Sequence, residues 1–357
     1  MAVYSGPMVD AAPPSEGAPL LGGRTIDADA LFAQAIPIRG SATAAIDLAR
    51  RIGSQLPRPG SGRTLDLWRA LAALSAADLT AGRVVEAHTD ALSILDQAGL
   101  PIPADRTWGV FAAEASGVRL DATVAAGGFR LTGTKPWCSL AGHLDSALVT
   151  AHTDGGHRRL FSLDLRDAGV TVQRDSWFAA GLREVESGPV HFDDVAAEPV
   201  GADEWYLDRP GFSWGGAGVA ACWYGGAVGV ARALLSSARR REPDQIAQSH
   251  IGAVDIALGS ARRALEAAAQ AIDSGHLDRE KSSVLAERVR TTVADAAEAV
   301  LTRVGHALGP APLAFDEIHA RRVADLTIYL RQHHAERDEA ALGRAVVAAD
   351  AEGEPPW

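Results

Sequence analysis

The sequence predicts an α+β protein in three consecutive parts: a helical N-terminal region, a middle β unit and a C-terminal helical bundle. Two changes of texture carry this. Apolar residues recur every three or four positions up to about Asp105 and again after Gly211, the period of helices with one buried face. Between Trp108 and about Tyr206 the apolar residues instead fall in short runs bounded by Gly, Asp or Pro, as strands do. At 357 residues the chain is also long enough for two or three units with sizeable cores.

Taken in order, residues 1–25 are rich in Pro and Gly and are expected to form a loose arm. Residues 26–106 form the helical domain. Leu65, Trp68, Leu71 and Leu74 mark one helix, and Leu79, Val84, His88, Leu92 and Leu95 mark the next. LPRPGSG (Leu56–Gly62) is a loop that separates two helical stretches. Residues 107–206 form the β domain, with GFRLTG, DSALVTAH, RRLFSLDL, GVTVQR and GPVHFDDV as its antiparallel strands, enough for a small barrel or sandwich. Residues 207–357 return to helix. Ile251, Val254, Leu258, Ala261, Leu265, Ala268 and Ile272 form one narrow stripe, and Leu285, Val289, Val293, Ala296, Val300 and Val304 another, with Leu277–Lys281 as the charged turn between them. Such stripes suit helices packed nearly antiparallel.

A net charge of −11 argues against a general nucleic-acid or anionic-membrane surface, since both need positive potential. Two cysteines far apart, Cys138 and Cys222, make no disulfide framework and suit a reducing cytoplasm. The N-terminal stretch has neither the basic nor the apolar region of a signal peptide. Pro210–Ala231 is uncharged and long enough to span a bilayer, but it is built from Gly, Ala, Ser and aromatics, so a close-packed bundle helix is expected and no membrane partner.

The segment GFRLTGTKPWCS (Gly128–Ser139) resembles the β-domain signature of acyl-CoA dehydrogenases, Gly-x-x-Leu-Asn-Gly-x-Lys-x-Trp-Ile-Thr. Gly133 is expected at a tight turn, and Cys138 on the opposite face of the strand from Trp137 and Ser139. WGVFAAE (Trp108–Glu114) lies where that family has a strand ending in Leu-Thr-Glu-Pro. VHFDDVAAEPVG (Val190–Gly201) resembles the strand that closes its β domain. GAVGVARAL (Gly226–Leu234) and Arg321–Asp325 extend the likeness into the helices. The resemblance implies a middle antiparallel β-barrel, a C-terminal four-helix bundle that makes a homo-oligomer (dimer or tetramer), and FAD as cofactor. It implies that Trp137 packs on the flavin ring, that Ser139 reaches its polar edge, and that backbone at Phe111, Ala112, Ala113 and Cys138 completes the flavin contacts. An isoalloxazine needs such an apolar wall with a few placed hydrogen bonds.

The departures bear on mechanism. Family members remove an α-proton with a Glu, and a base must stand within hydrogen-bond reach of its proton. Leu330, Arg331 and Gln332 occupy that segment, and arginine is no base at neutral pH. Only Glu336 or Glu339, a turn later, offers a substitute. The first long bundle helix carries no Asp or Glu near Tyr224–Leu235, and Ala217 and Ala220 stand where the family's Asp-x-x-Arg pair binds the thioester chain. Arg239, Arg240 and Arg241 have no Phe-Gly after them, and the Gln-x-x-Gly-Gly motif is reduced to fragments around Gly305 and Gly309.

His333 and His334 beside Glu336 and Asp338 are a weak metal signal, since adjacent helical residues project about a hundred degrees apart. One of them standing in for the missing glutamate is the alternative. The catalytic residues are unassigned, and no metal is expected. The reading is an FAD-dependent oxidoreductase on a small-molecule substrate, an acyl thioester or other acyl compound. A flavin-dependent monooxygenase on the same fold, or a non-catalytic subunit paired with an active paralogue, stays open beside it.

Overall fold

In the computed structural model, which describes residues 21–22 and 25–353, a two-residue hairpin, β1 (Leu21–Gly22) with β2 (Thr25–Ile26), leads into four helices. These are α1 (Ala28–Ala35), α2 (Ala42–Ile52), α3 (Thr64–Ala77) and α4 (Leu79–Gln97). Most of the arm expected over residues 1–25 lies outside the described residues. Asp27, Ser41 and Asp78 accept from the N–H groups of Ala30, Ala44 and Ala81, partnering donors that the first turn of a helix leaves open. Asp78 also accepts from Gly40 and from Arg321, so one buried carboxylate ties α4 to a helix of the C-terminal region.

The strands are β3 (Trp108–Phe111), β4 (Leu120–Ala125), β5 (Gly128–Lys135), β6 (Ser146–His152), β7 (Arg158–Asp164), β8 (Val170–Val172) and β9 (Val190–Val200). They pair in the order β6-β4-β5-β9-β7, and β7 returns to β6, so the sheet closes into a barrel with β8 added on β9. The barrel is antiparallel except at one edge of β6, where β3 and β4 both run parallel to it. The cause is the β4–β5 hairpin: β5 alone runs opposite among the first four strands, and the turn after it restores the original direction. Strand β4 carries no run that the sequence pattern had marked.

Gly133 sits inside β5 at a register shift between Leu131 and Gly133, where a bulge, not the expected turn, demands it. Its φ is 127°, and a Cβ there would lie 2.4 Å from the carbonyl oxygen of Arg119.

The remaining helices are α5 (Trp205–Asp208), α6 (Pro210–Arg240), α7 (Gln245–Asp273), α8 (Arg279–Leu308), α9 (Ala311–Phe315), α10 (Glu317–Tyr329) and α11 (Glu336–Ala351). α6, α7 and α8 pack on one another, α10 packs on α6 and α4, and α6 also packs on α3 and α4 of the N-terminal region. A Cβ on Gly225 would meet the carbonyl oxygen of Ala72 at 2.2 Å, so α6 and α3 touch backbone to backbone. Helix α6 is long and apolar enough to cross a membrane, yet 67% of its apolar window is buried inside the fold. The turn before α8, residues 274–278, falls three residues earlier than expected, because Asp278 caps the helix and accepts from Lys281.

Candidate functional site

Where α4, the end of β3, the turn after β5 and the end of α10 meet, a cavity of about 610 Å³ opens. That lies inside the range of about 300–1,000 Å³ usual for cofactor and small-molecule sites. The turn after β5 supplies its most conspicuous wall. Strand β5 ends at Lys135, so Trp137, Cys138 and Ser139 lie on a turn and not on a strand as expected. Trp137 has φ 58°, a left-handed conformation uncommon for a bulky residue. Its neighbours hold it there: Cys138 N–H donates to Gly188 O at 3.0 Å and Leu140 N–H to Glu186 O at 2.7 Å. The indole therefore stands 57% exposed on the cavity wall.

Of the six residues that the sequence singles out, Ala113, Trp137 and Ser139 line the cavity. Phe111 is buried in the core and faces a small adjoining hollow. The carbonyl of Ala112 accepts from Arg158 at 2.9 Å and from Thr150 at 3.4 Å. Cys138 turns inward with its Sγ 3.3 Å from Lys135 O, and burial pushes its thiol up to about 12, which makes it a poor nucleophile.

On the barrel side, Glu114 accepts from the buried Lys135 Nζ at 2.5 Å, with Arg158 at 3.3 Å and His152 at 3.6 Å. Lys135 Nζ donates also to Thr150 at 2.8 Å. Burial works against the Glu114 anion, but the Lys135 hydrogen bond and the charges of Lys135, Arg158 and His152 outweigh it and hold the carboxyl below its ordinary range.

On the helix side, α4 presents a group that sequence reasoning missed. Arg83 Nη1 donates to Glu86 Oε2 at 2.6 Å, Tyr329 Oη donates to the same oxygen at 3.2 Å, and the guanidinium lies 5.7 Å from the Tyr329 ring centroid. Burial drives the Glu86 carboxyl above its usual range and the Tyr329 phenol well above its own. Arg83, Glu86 and Asp90 stand three and four residues apart on α4, and that charged row within an apolar helix is the signal that would have found them.

The third wall is the turn after α10. Arg331 pairs with Glu298, and Gln332 gives its carbonyl to Arg290 Nη2 at 2.8 Å. Arg290 also donates to Gly216 O and lies 4.8 Å from the Trp223 ring centroid, so α8 and α6 hold this turn in place. Neither Glu336 nor Glu339 lines the cavity; both are exposed on the first turn of α11. His333 and His334 precede that helix rather than lying on one. His333 points inward to Thr291 Oγ1 at 3.1 Å, and burial lowers its pKa. His334 lines the cavity with Nδ1 3.1 Å from Asp338 Oδ1. Among the described residues no cluster suits a metal ion.

Ala217 and Ala220 are buried in α6, Arg239–Arg241 are exposed at its far end, and Gly309 caps α8 with φ 66°. None of them borders the cavity.

A family model described as the acyl-CoA dehydrogenase middle domain matches residues 111–195. No curated protein matches the sequence. Among solved structures, the chain is similar to the dibenzothiophene monooxygenase TdsC from Paenibacillus sp. A11-2, at 19% identity and TM-score 0.74, covering 88% of this chain and 95% of that one. It is similar to KijD3 in complex with FMN and a dTDP-linked amino-keto sugar, at 21% identity and TM-score 0.73, covering 92% and 91%. It is also similar to butyryl-CoA dehydrogenase from Megasphaera elsdenii, at 16% identity and TM-score 0.75, covering 90% and 98%.

Proposed function

From a chain that belongs by its middle domain and its fold to the acyl-CoA dehydrogenase superfamily, we propose a flavin-dependent oxidoreductase that works without a carboxylate base. The monooxygenase form of that reading has the better support. The observation that carries it is the cavity's carboxylate inventory: among the described residues Glu114 is its one lining carboxylate, and Lys135 and Arg158 already hold it. At the position where a dehydrogenase would carry its base, Arg331 is paired with Glu298. TdsC, a monooxygenase, has been solved with FMN, and so has KijD3.

The residues present fit a flavin. Trp137 offers an exposed aromatic face, Ser139 a hydroxyl, and the segment Phe111–Ala113 a run of backbone at the cavity edge. A bound flavin supplies hydride acceptance and, once reduced, the activation of dioxygen. The chain's own contribution is position and protons. Trp137 and Trp177 supply apolar aromatic wall, and Leu182, Val185 and Ile328 keep the interior dry. His334, oriented by Asp338 through Nδ1, leaves Nε2 for proton transfer at the cavity wall.

FAD is the flavin that the sequence resemblance implies, and the eroded nucleotide-binding motifs make FMN its rival. The substrate is a small molecule, with an acyl compound as the first class to screen. The bundle surface supports a homo-oligomer, since α7 leaves Ile246 68% and Ile256 70% exposed. Two buried free thiols, Cys138 and Cys222, suit a reducing cytoplasm.

Extraction and mass analysis of the purified protein's chromophore test the core of this reading. The expected outcome is a bound or readily reconstituted flavin, reduced protein that reoxidises rapidly in air, and weakened flavin binding in Trp137→Ala. A protein that takes up neither FAD nor FMN ends the proposal. Turnover of acyl-CoA thioesters in a ferricenium-coupled assay ends the claim that no base is present.

A further inference from the structure

We propose that Arg83 selects the substrate, and that the cavity takes a ring-bearing molecule recognised through a neutral hydrogen-bond-accepting oxygen, carbonyl or phenolic. The inference rests on the flavin-site reading and names the substrate class of that site. Only 14% of the Arg83 side chain is exposed, and it borders both the large cavity and the adjoining hollow. Its Nη1 is committed to Glu86, and Tyr329 donates to the same carboxylate oxygen, which fixes the guanidinium from two sides. Among the described residues Nη2 reaches only Ser139 Oγ, at 3.5 Å, the outer limit of a hydrogen bond.

The serines take up one proton of that donor at most. Ser187 Oγ donates to Val185 O at 3.0 Å, so in the 2.8 Å contact between the two hydroxyls Ser139 is the donor. Ser139 Oγ therefore turns a lone pair toward Arg83 and accepts, at long range, from one of the two Nη2 protons. The other keeps its donor capacity in a cavity lined in part by Val110, Leu182, Val185 and Ile328, where an unmatched polar group is costly. A ligand that brings an oxygen to Nη2 removes that cost, and a hydrocarbon of equal shape leaves it in place. Glu86 already balances the guanidinium charge, which favours a neutral oxygen over a carboxylate. With Trp137 given to the flavin, the Trp177 side chain in the wall favours a flat ring as the body of the ligand.

Equilibrium dialysis of the flavin-loaded protein against 2-naphthol, 2-acetylnaphthalene, 2-naphthoate and 2-methylnaphthalene tests this. The naphthol or the ketone should bind about 10- to 100-fold more tightly than 2-methylnaphthalene. Whichever binds better identifies the oxygen as phenolic or carbonyl. Arg83→Met should erase the preference with flavin content unchanged, and Arg83→Lys should keep only part of it, lacking the planar fork. Tightest binding of 2-methylnaphthalene or of 2-naphthoate to the wild-type protein would overturn the proposal, and so would an undiminished preference in Arg83→Met. The wild-type ranking decides even where the Met variant does not fold. Flavin titration, run first, separates the two readings. A protein that takes no flavin but ranks the probes as expected breaks only the flavin reading. A flavin-loaded protein that ranks them equally breaks only this one.

Discussion

Glu86, buried behind Arg83 on the helix side, and Glu114, on the barrel side, flank one cavity, and their environments move them in opposite directions. Burial acts on both in the same sense, disfavouring the anion. Glu86, with 8% of its side chain exposed, has one arginine and one phenol as partners and Asp90 nearby, so burial prevails and its pKa rises. Glu114, 35% exposed, faces Lys135, Arg158 and His152, so its pKa falls. The comparison teaches that depth and cations act together: burial raises the pKa of both, and only at the shallower Glu114, with three cations around it, is that rise reversed.

The largest effect is expected on the barrel side. Lys135→Met leaves Glu114 without its shortest partner and should cost about 3 kcal/mol, less than a fully buried pair because Glu114 is partly wet. Urea denaturation reads this, and adding Glu114→Gln should recover much of the loss. A single variant as stable as wild type would remove Lys135 from its central place in the comparison.

The helix side carries a second, uncharged example. His88 Nδ1 accepts from Trp108 N–H at 3.3 Å, joining α4 to β3. Burial, with the charges of Arg58 and Arg50, lowers its pKa to about 4. Because the folded value lies below the unfolded value of about 6.5, the unfolded chain binds the proton first as pH falls. The His88 contribution is therefore complete above pH 6.5 and is lost by about pH 4, a change of about 3 kcal/mol. NMR titration checks it directly; an imidazole titrating near 6.5 would refute the assignment.

The smallest effects separate the two carboxylates themselves. With its folded pKa raised, Glu86 contributes stability that is full below its unfolded value and lost as pH rises through the folded one. Glu114, depressed, contributes stability that is full above its unfolded value and lost as pH falls through the folded one. Glu86→Gln should thus flatten the high-pH side of a stability–pH curve and Glu114→Gln the low-pH side, with Glu86→Gln costing about 1 kcal/mol at neutral pH for its changed hydrogen bonds. Both variants flattening the same side would show that the walls do not differ.

Much of the fold was legible because periodicity reports burial directly. The stripes Ile251–Ile272 and Leu285–Val304 are helices α7 and α8, and the marked β runs lie in β5 to β9. Strand β4 escaped because LDATVA has a half-solvated face and few large apolar residues. Gly133 pointed to an unusual backbone, but a glycine need reads alike for a turn and a bulge. The site was harder. Trp137 and Ser139 came from a local motif, whereas Glu86 meets Tyr329 across 243 residues, and no local pattern records that meeting.

Alone, the sequence determined the helix–β–helix order, helices α7 and α8, strands β5 to β9, and that the middle part follows an acyl-CoA dehydrogenase pattern, because these depend on residue type and spacing. Tertiary structure decided that Trp137 leaves the strand to face the cavity, that Glu336 and Glu339 stay outside it, and that Glu86 and Glu114 take opposite shifts. Those outcomes follow from which side chains distant segments bring within a few ångströms of each other, and burial and charge act only at that range.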